Sequence, residues 1–440
     1  MHDVQVVTVL EEDAYEAALG GAAGTCFVLT NTRSLDEPAA VELNTLAARG
    51  LIAVAERRDA RLQFVSRSDS TLRGHVMAEV AALQAVRREA LGSGFDGVLF
   101  VPAFLEAGRL TAADIHWARV GPALVPVGAT EFARDSTFGY TSSDLRDFIT
   151  EKSGGAIGRD DVRSIGLPDI RLGGPSRVCE LLTGVRDGTW VVVNATEYSD
   201  LDTVASGVLL AERAGKSFLF RTGPSFVRAL SGLGPKAPLR GEEIWPSGRR
   251  GGHGLIVVGS HVSQTSRQVA ALRARGATTD IELDVPAIVS GAGDVVPATA
   301  RRVTDALRRS DVLLYSSRSL YTGPTSAAGS ARVTAAADSL AVARRVSAGL
   351  SRIVREALAA KPAWVIAKGG ITSHDVARRG LGIRRAEVAG QLFPGVISVF
   401  RPIDAAPEAI GMPYVVFAGN VGDDGTLAQV VAILKGEEDR

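Results

Sequence analysis

Cysteine is almost missing from this chain of 440 residues: Cys26 and Cys179 are the only two. Two thiols make neither a disulfide framework nor a cysteine zinc site, so a reducing, cytoplasmic compartment is the expectation. Lysine is nearly as scarce, six against 43 arginines, and 49 basic residues meet 49 acidic ones for a formal net charge of zero. Without basic excess or a Lys/Arg block, nucleic acid is excluded as the expected partner. No apolar run approaches the roughly 18 residues of a membrane span. Met1-His2-Asp3-Val4 lacks the charged-then-apolar pattern of a leader, so no membrane is expected either. What remains is an ordinary globular composition, 46% apolar and 22% charged. At about 150 residues per domain the length implies two or three domains.

Short apolar runs alternate with Ala/Arg/Leu segments of helical period. Phe27–Thr30, Leu62–Val65, Val98–Val101, Trp190–Val193 and Ser217–Phe220 read as strands, with helices near 36–58, 71–91, 175–185 and 199–214. Runs apolar on both faces and separated by helices indicate a mostly parallel α/β sheet. Glycine and proline crowd between Ser231 and Gly254, and the stretch reads as a linker. The alternation then restarts with Leu255–Val258, Thr279–Leu283, Val312–Tyr315 and Trp364–Ala367 as strands, a strand-rich part over 386–418 and a final helix near 425–435. The expected fold is two α/β domains with mostly parallel sheets and a cleft between them: 1–238, a linker 239–253, and 254–440.

Ligands of open α/β sheets bind beyond the carboxyl ends of strands, so the strand-to-helix loops carry the search for chemistry. The first is Ser66-Arg67-Ser68-Asp69-Ser70-Thr71-Leu72-Arg73-Gly74-His75. Asp69 or Ser70 has the chemistry to cap the next helix. Arg73 at a helix N-terminus, where the dipole disfavours cations, calls for an anion between them. A second loop carries Glu106 and Arg109, whose plain reading is a surface ion pair. A third runs from Glu131 to Tyr140, polar yet aromatic-flanked. Together these loops suit a polyhydroxylated anion.

The second half offers Gly259-Ser260-His261 and Lys368-Gly369-Gly370-Ile371-Thr372-Ser373-His374-Asp375, each after a strand. Paired glycines admit a ligand close to the backbone, Thr372 and Asp375 have capping-box spacing, and Lys368 through Thr372 reads as a phosphate cradle or as a plain glycine turn. In the last loop, Gly419 to Gly425, Asp423 and Asp424 suit either Mg²⁺ through water or an acidic helix start. His75, His116, His261 and His374 lie in or near these loops, as candidate ligand contacts. There is no G-x-x-x-x-G-K-[ST], H-E-x-x-H, G-x-S-x-G or clean G-x-G-x-x-G, which argues against a dehydrogenase among others.

Five strings in order along essentially the whole chain resemble the four-carbon acid sugar kinases. They are Asp69-Ser70-Thr71-Leu72-Arg73-Gly74-His75; Pro102-Ala103-Phe104 with Glu106-Ala107-Gly108-Arg109; Gly369-Gly370-Ile371-Thr372-Ser373 with Asp375-Val376-Ala377; Gly390-Gln391 with Pro394-Gly395-Val396; and Gly419-Asn420-Val421-Gly422. The resemblance implies a two-domain kinase using ATP and Mg²⁺, with an acid sugar such as threonate, erythronate or a 3-oxo-tetronate in the N-terminal domain. Carried over by motif, Asp69, Ser70, Arg73, Glu106 and Arg109 contact the acid sugar, and Ser260, Gly369, Gly370, Thr372 and Gly419 contact ATP. The catalytic base stays unassigned, and the assembly is open to a homo-oligomer.

One departure stands out. Members open with a strand running into an Asp-Asp-(Asp-Pro)-Thr-Gly turn before a Val-His-Asp-Val-like segment, and Met1-His2-Asp3-Val4 begins inside that segment. The expectation is that the natural start lies upstream. The alternative is a shortened, non-catalytic protein that binds a sugar acid or nucleotide.

Overall fold

The computed structural model describes residues 4–21, 24–234, 236–245, 251–260, 262–291, 293–317, 334–393, 397–419 and 421–437. Residues 246–250, His261, Pro394, Gly395, Val396 and Asn420 lie outside the described residues. The chain divides into two compact units, Leu35–Pro235 and Met1–Ser34 with Lys236–Arg440.

In chain order the strands are β1 (Gln5–Val7), β2 (Cys26–Val28), β3 (Phe64–Arg67), β4 (Gly97–Val101), β5 (Arg109–Ala112), β6 (Ile115–Val120), β7 (Ala123–Pro126), β8 (Arg163–Ile165) and β9 (Thr189–Val193). They continue with β10 (Phe218–Thr222), β11 (Leu255–Val258), β12 (Thr278–Leu283), β13 (Asp311–Ser316), β14 (Val365–Lys368), β15 (Arg385–Phe393), β16 (Ile397–Asp404) and β17 (Tyr414–Phe417). The Leu35–Pro235 unit holds the all-parallel sheet β3-β10-β4-β9-β8 and a small antiparallel sheet β5-β6-β7. The other unit holds the nine-stranded sheet β12-β13-β11-β14-β17-β16-β15-β1-β2. Its β12 to β17 part is parallel, whereas β15 and β16 run antiparallel to their neighbours. Two α/β units with mostly parallel sheets are what the alternation predicts.

The continuous apolar runs have a direct structural reason. In β11, Leu255 and Val257 enter one apolar cluster while Ile256 and Val258 enter another. In β4, Val98 and Phe100 face one cluster, Leu99 and Val101 the other. Both faces are covered, so no position in either run is left for a polar side chain. Each such side chain contributes about 1.5–3 kcal/mol by leaving water.

The structure departs from the sequence reading in three places. First, the division at 1–238 and 254–440 is not where the units close. β1 pairs antiparallel with β15 and parallel with β2, so the first residues complete the sheet of the C-terminal part. Second, the 239–253 stretch is not a free linker throughout. Leu239, Ile244 and Trp245 are buried in the cluster containing Ile256 and Trp364, and the Leu239 N–H donates to the Gln391 carbonyl at 2.7 Å. Three apolar anchors outweigh the breakers around them. Third, the sheet β5-β6-β7 had no signal in the sequence. Its first hairpin turns on Ala113 and Asp114, with φ of +51° and +61°, rather than on the usual Asn-Gly.

Candidate functional site

Strand β3 ends at Arg67, and the next helix starts only at Val76, later than the predicted 71. Between them the chain makes a tight turn. Leu72 takes φ +66° and Gly74 φ +121°, backbone incompatible with a helix, and the Leu72 N–H closes the turn on the Asp69 carbonyl at 3.0 Å. His75 precedes the helix without a side-chain cap, so neither Asp69 nor Ser70 caps it. Asp69 serves the turn itself. One oxygen, Oδ2, accepts from the Thr71 hydroxyl at 2.6 Å and from Arg73 Nε at 2.7 Å.

Arg73 is therefore not a cation stranded at a helix N-terminus. Asp69 holds one side of its guanidinium, Asp135 lies at 3.6 Å, and the Phe132 ring lies 4.9 Å away. The third loop supplies both latter partners, and its Tyr140 donates to the Thr71 carbonyl at 2.8 Å. Loops one and three thus form a single structure.

The second loop splits. Arg109 and Glu106 do not pair among the described residues. Glu106 accepts from the Tyr198 hydroxyl and, at 3.1 Å, from Ser225, in the first turns of the helices that follow β9 and β10. The Arg228 guanidinium covers the Tyr198 ring at 3.7 Å. Arg109 instead joins the first loop. Nη1 donates to the Ala107 carbonyl at 2.9 Å, while Nε is buried with no hydrogen-bond partner. Burial lowers its proton affinity; the Asp69 charge raises it and the Arg73 charge lowers it. A buried N–H donor left open beside a second guanidinium is a place for an anion. Asp69, Arg73 and Arg109 come together, with Ser70 in the same turn; Glu106 stands with Tyr198 and Ser225.

His75, His116 and His374 are all buried. His75 Nε2 lies 3.0 Å from the Leu35 carbonyl, and its ring meets Phe138 edge-on at 4.9 Å. His116 is fully buried on β6, between Thr111 and the Ser70 carbonyl. His374 is also buried, its Nδ1 without a partner.

In the other unit, β11, β14 and β17 are neighbouring parallel strands, and the loops at their carboxyl ends carry Ser260, Gly369 and Gly419. The Thr265 hydroxyl lies 3.2 Å from Ser260 Oγ and donates to the Gly419 carbonyl at 2.9 Å. A Cβ at 259 would meet Thr372 Oγ1 at 2.3 Å, and one at 419 would meet Ser260 Oγ at 2.5 Å. Gly369 takes φ +125°, and a Cβ at Gly370 would enter open space. Ser260, Gly369, Thr372 and Gly419 therefore share one backbone-lined place, with Gly370 at its margin. This fits a phosphate chain, which backbone N–H groups bind at close range.

Three readings of this region change. Gly369 is the helix N-cap and Thr372 lies inside the helix, so no capping box forms; Asp375 accepts from Ser347 at 2.6 Å instead. Lys368 is fully buried, its Nζ 3.6 Å from the Phe417 ring centre and 3.1 Å from the Ala418 carbonyl. It packs between β14 and β17, and burial pushes its ammonium down to about 7. Asp424 is taken by Gln264 and Arg267, and Asp423 by Gly425 and Thr426. Among the described residues no group of three His, Cys, Asp or Glu forms a metal cage, and both Asp423 and Asp424 already accept hydrogen bonds within the loop and its neighbouring helix.

Fold and loops together define a two-unit α/β protein with an arginine and aspartate cluster after the strands of one sheet and a glycine-lined loop cluster after the strands of the other. Residues 1–230 match a family described as a sugar-binding N-terminal domain, and residues 255–427 one described as a nucleotide-binding C-terminal domain. The chain belongs to the four-carbon acid sugar kinase family. It is 28% identical over 228 residues to a D-erythronate kinase of Heliobacterium modesticaldum, a match covering 51% of this chain and 46% of that protein. The chain thus spans about half the length of the curated relative it matches. A Salmonella typhimurium LT2 protein superposes with a TM-score of 0.66 over 97% of this chain and 92% of its own, at 16% identity. A Haemophilus influenzae protein gives 0.59 over 98% and 94%, also at 16% identity. At that identity the two likenesses show the fold alone. Among the described residues no helix is long and apolar enough to cross a membrane.

Proposed function

We propose that the protein is an ATP-dependent kinase acting on a four-carbon acid sugar, a tetronate or 3-oxo-tetronate. The observation that carries the reading is the buried, unpartnered Nε of Arg109 in the cluster with Asp69 and Arg73. Arg73 is already held by Asp69 and Asp135, so Arg109 is the donor kept for the substrate carboxylate. Asp69 and Ser70 line the same turn, and Glu106, fixed by Tyr198 and Ser225, is offered as an acceptor for a sugar hydroxyl. Ser260, Gly369, Gly370, Thr372 and Gly419 hold ATP. Mg²⁺ would supply charge neutralisation on the nucleotide phosphates when bound with ATP.

The reaction forms a bond from a substrate hydroxyl oxygen to the γ-phosphorus and breaks the β,γ-bridging bond, releasing ADP and the hydroxyl proton. Such a transfer depends mainly on positioning and charge stabilisation, so a site of modest side chains suffices. The kinship with a D-erythronate kinase supports the substrate class. The test is ADP release from ATP and Mg²⁺ with a panel of erythronates, threonates and 3-oxo-tetronates. Release dependent on one of these acids is expected. Calorimetric binding of an acid without any turnover would favour a non-catalytic binder instead.

A further inference from the structure

His116 sits in the middle of β6 and is fully buried. Its Nε2 lies 2.9 Å from the Ser70 carbonyl oxygen, and its Nδ1 lies 3.0 Å from Thr111 Oγ1. A carbonyl only accepts, so Nε2 carries the proton. In the neutral ring Nδ1 is then the acceptor, and the Thr111 hydroxyl donates to it. Thr111 is itself fully buried on β5, and its N–H donates to the Ala195 carbonyl at 3.0 Å. The ring is clamped from behind and has one task, which is to hold the carbonyl of Ser70.

That carbonyl belongs to the Ser70–Thr71 peptide. A trans peptide is planar, and its C=O and N–H point in opposite directions. Fixing the Ser70 carbonyl on His116 therefore turns the Thr71 N–H away from the ring. The next peptide is fixed as well: Tyr140 takes the Thr71 carbonyl, and the Leu72 N–H closes on Asp69. The Thr71 N–H is different. Among the described residues it has no hydrogen-bond acceptor, although Thr71 is only 2% exposed. A buried backbone donor left open in a turn this constrained is uncommon. It shares that state with Arg109 Nε, in the same cluster.

We infer that the Thr71 backbone N–H is a binding donor for the acid sugar's carboxylate, and that His116 is the positioning residue that aims it. The inference rests on the proposed acid-sugar function. It adds a main-chain donor and a buried histidine that touches no ligand. Burial, the main cause, drives the imidazole down to about 4, which keeps the ring neutral and its donor direction fixed at working pH.

Titration of the full chain with D-erythronate and L-threonate, and separately with ATP, tests this in the wild type, His116→Ala and His116→Gln. His116→Ala should weaken acid binding at least tenfold and leave ATP binding within twofold. His116→Gln, whose amide N–H can reach for the same carbonyl, should recover part of the loss. In the wild type, hydrogen exchange of the peptide covering 69–75 should slow on adding the acid. That readout does not depend on any variant folding. If the wild type binds an acid but His116→Ala binds it equally well, loses ATP binding in parallel, or the 69–75 amides gain no protection, the inference is wrong. A wild type that binds neither acid overturns the acid-sugar reading itself, and this inference with it.

Discussion

Gly419 approaches Ser260 so closely that a Cβ on it would lie 2.5 Å from the Ser260 hydroxyl oxygen. The two residues follow different strands, β17 and β11, and Thr265 bridges them through its hydroxyl. A methyl group there pushes the Ser260 side chain off Thr265 and into the space a phosphate would occupy. Gly419→Ala should weaken ATP binding by about tenfold, roughly 1.4 kcal/mol, and leave acid-sugar binding unchanged. Calorimetry with each ligand separately reads this, and an unaltered ATP affinity would remove Gly419 from the site.

Arg73 and Arg109 differ in what already holds them, and their variants should differ accordingly. Arg109 has an open buried donor, so Arg109→Met should raise the acid-sugar KM about 10- to 100-fold, the loss of one or two charge-assisted hydrogen bonds. Arg73→Ala should raise the same KM and also loosen the turn, because Asp69 loses its ion-pair partner. Neither change should move the KM for ATP. Steady-state kinetics with both substrates varied separates the two constants, and an equal rise in both would contradict separate sites.

Beneath the same turn, Arg221 is 2% exposed and donates to Glu79 and, at 2.7 Å, to Ser66. Removing the carboxylate leaves a buried, unpaired guanidinium. Glu79→Ala should cost about 3–5 kcal/mol of stability. Glu79→Leu combined with Arg221→Met removes both charges and should recover much of that. Urea unfolding of the single and double variants measures it. A single variant losing under about 1 kcal/mol would mean that the pair is well solvated.

The buried histidine also predicts a pH dependence. Its imidazole titrates at about 4 in the folded chain against an ordinary 6.5. The unfolded chain therefore binds the proton first as pH falls. The stabilising contribution is complete above pH 6.5 and is lost progressively between 6.5 and about 4, to a total of roughly 3 kcal/mol. His116→Gln lacks this titration, so the stability gap between wild type and variant should narrow on acidification over that range. A constant gap measured by unfolding from pH 7 to 4.5 would show that the ring is not held neutral.

The sequence by itself determined the alternation of strands and helices, because runs such as Leu255–Val258 are apolar at every position and admit only a strand covered on both faces. It also pointed to the loops proposed here to bind ligands, since they follow those strands and hold residues that suit an anion or a phosphate. Tertiary structure decided what each of those residues does. Arg73, Lys368 and Asp424 look alike as free charges in a string of letters, yet each is engaged by a partner, up to 160 residues away in the case of Asp424. The place of the first strands, β1 and β2, was also invisible, because pairing with β15 links residues about 380 positions apart. Local periodicity fixes which segments are strands. Which strands meet, and which donors remain open once they have met, is settled only when the hydrogen bonds of the whole sheet close.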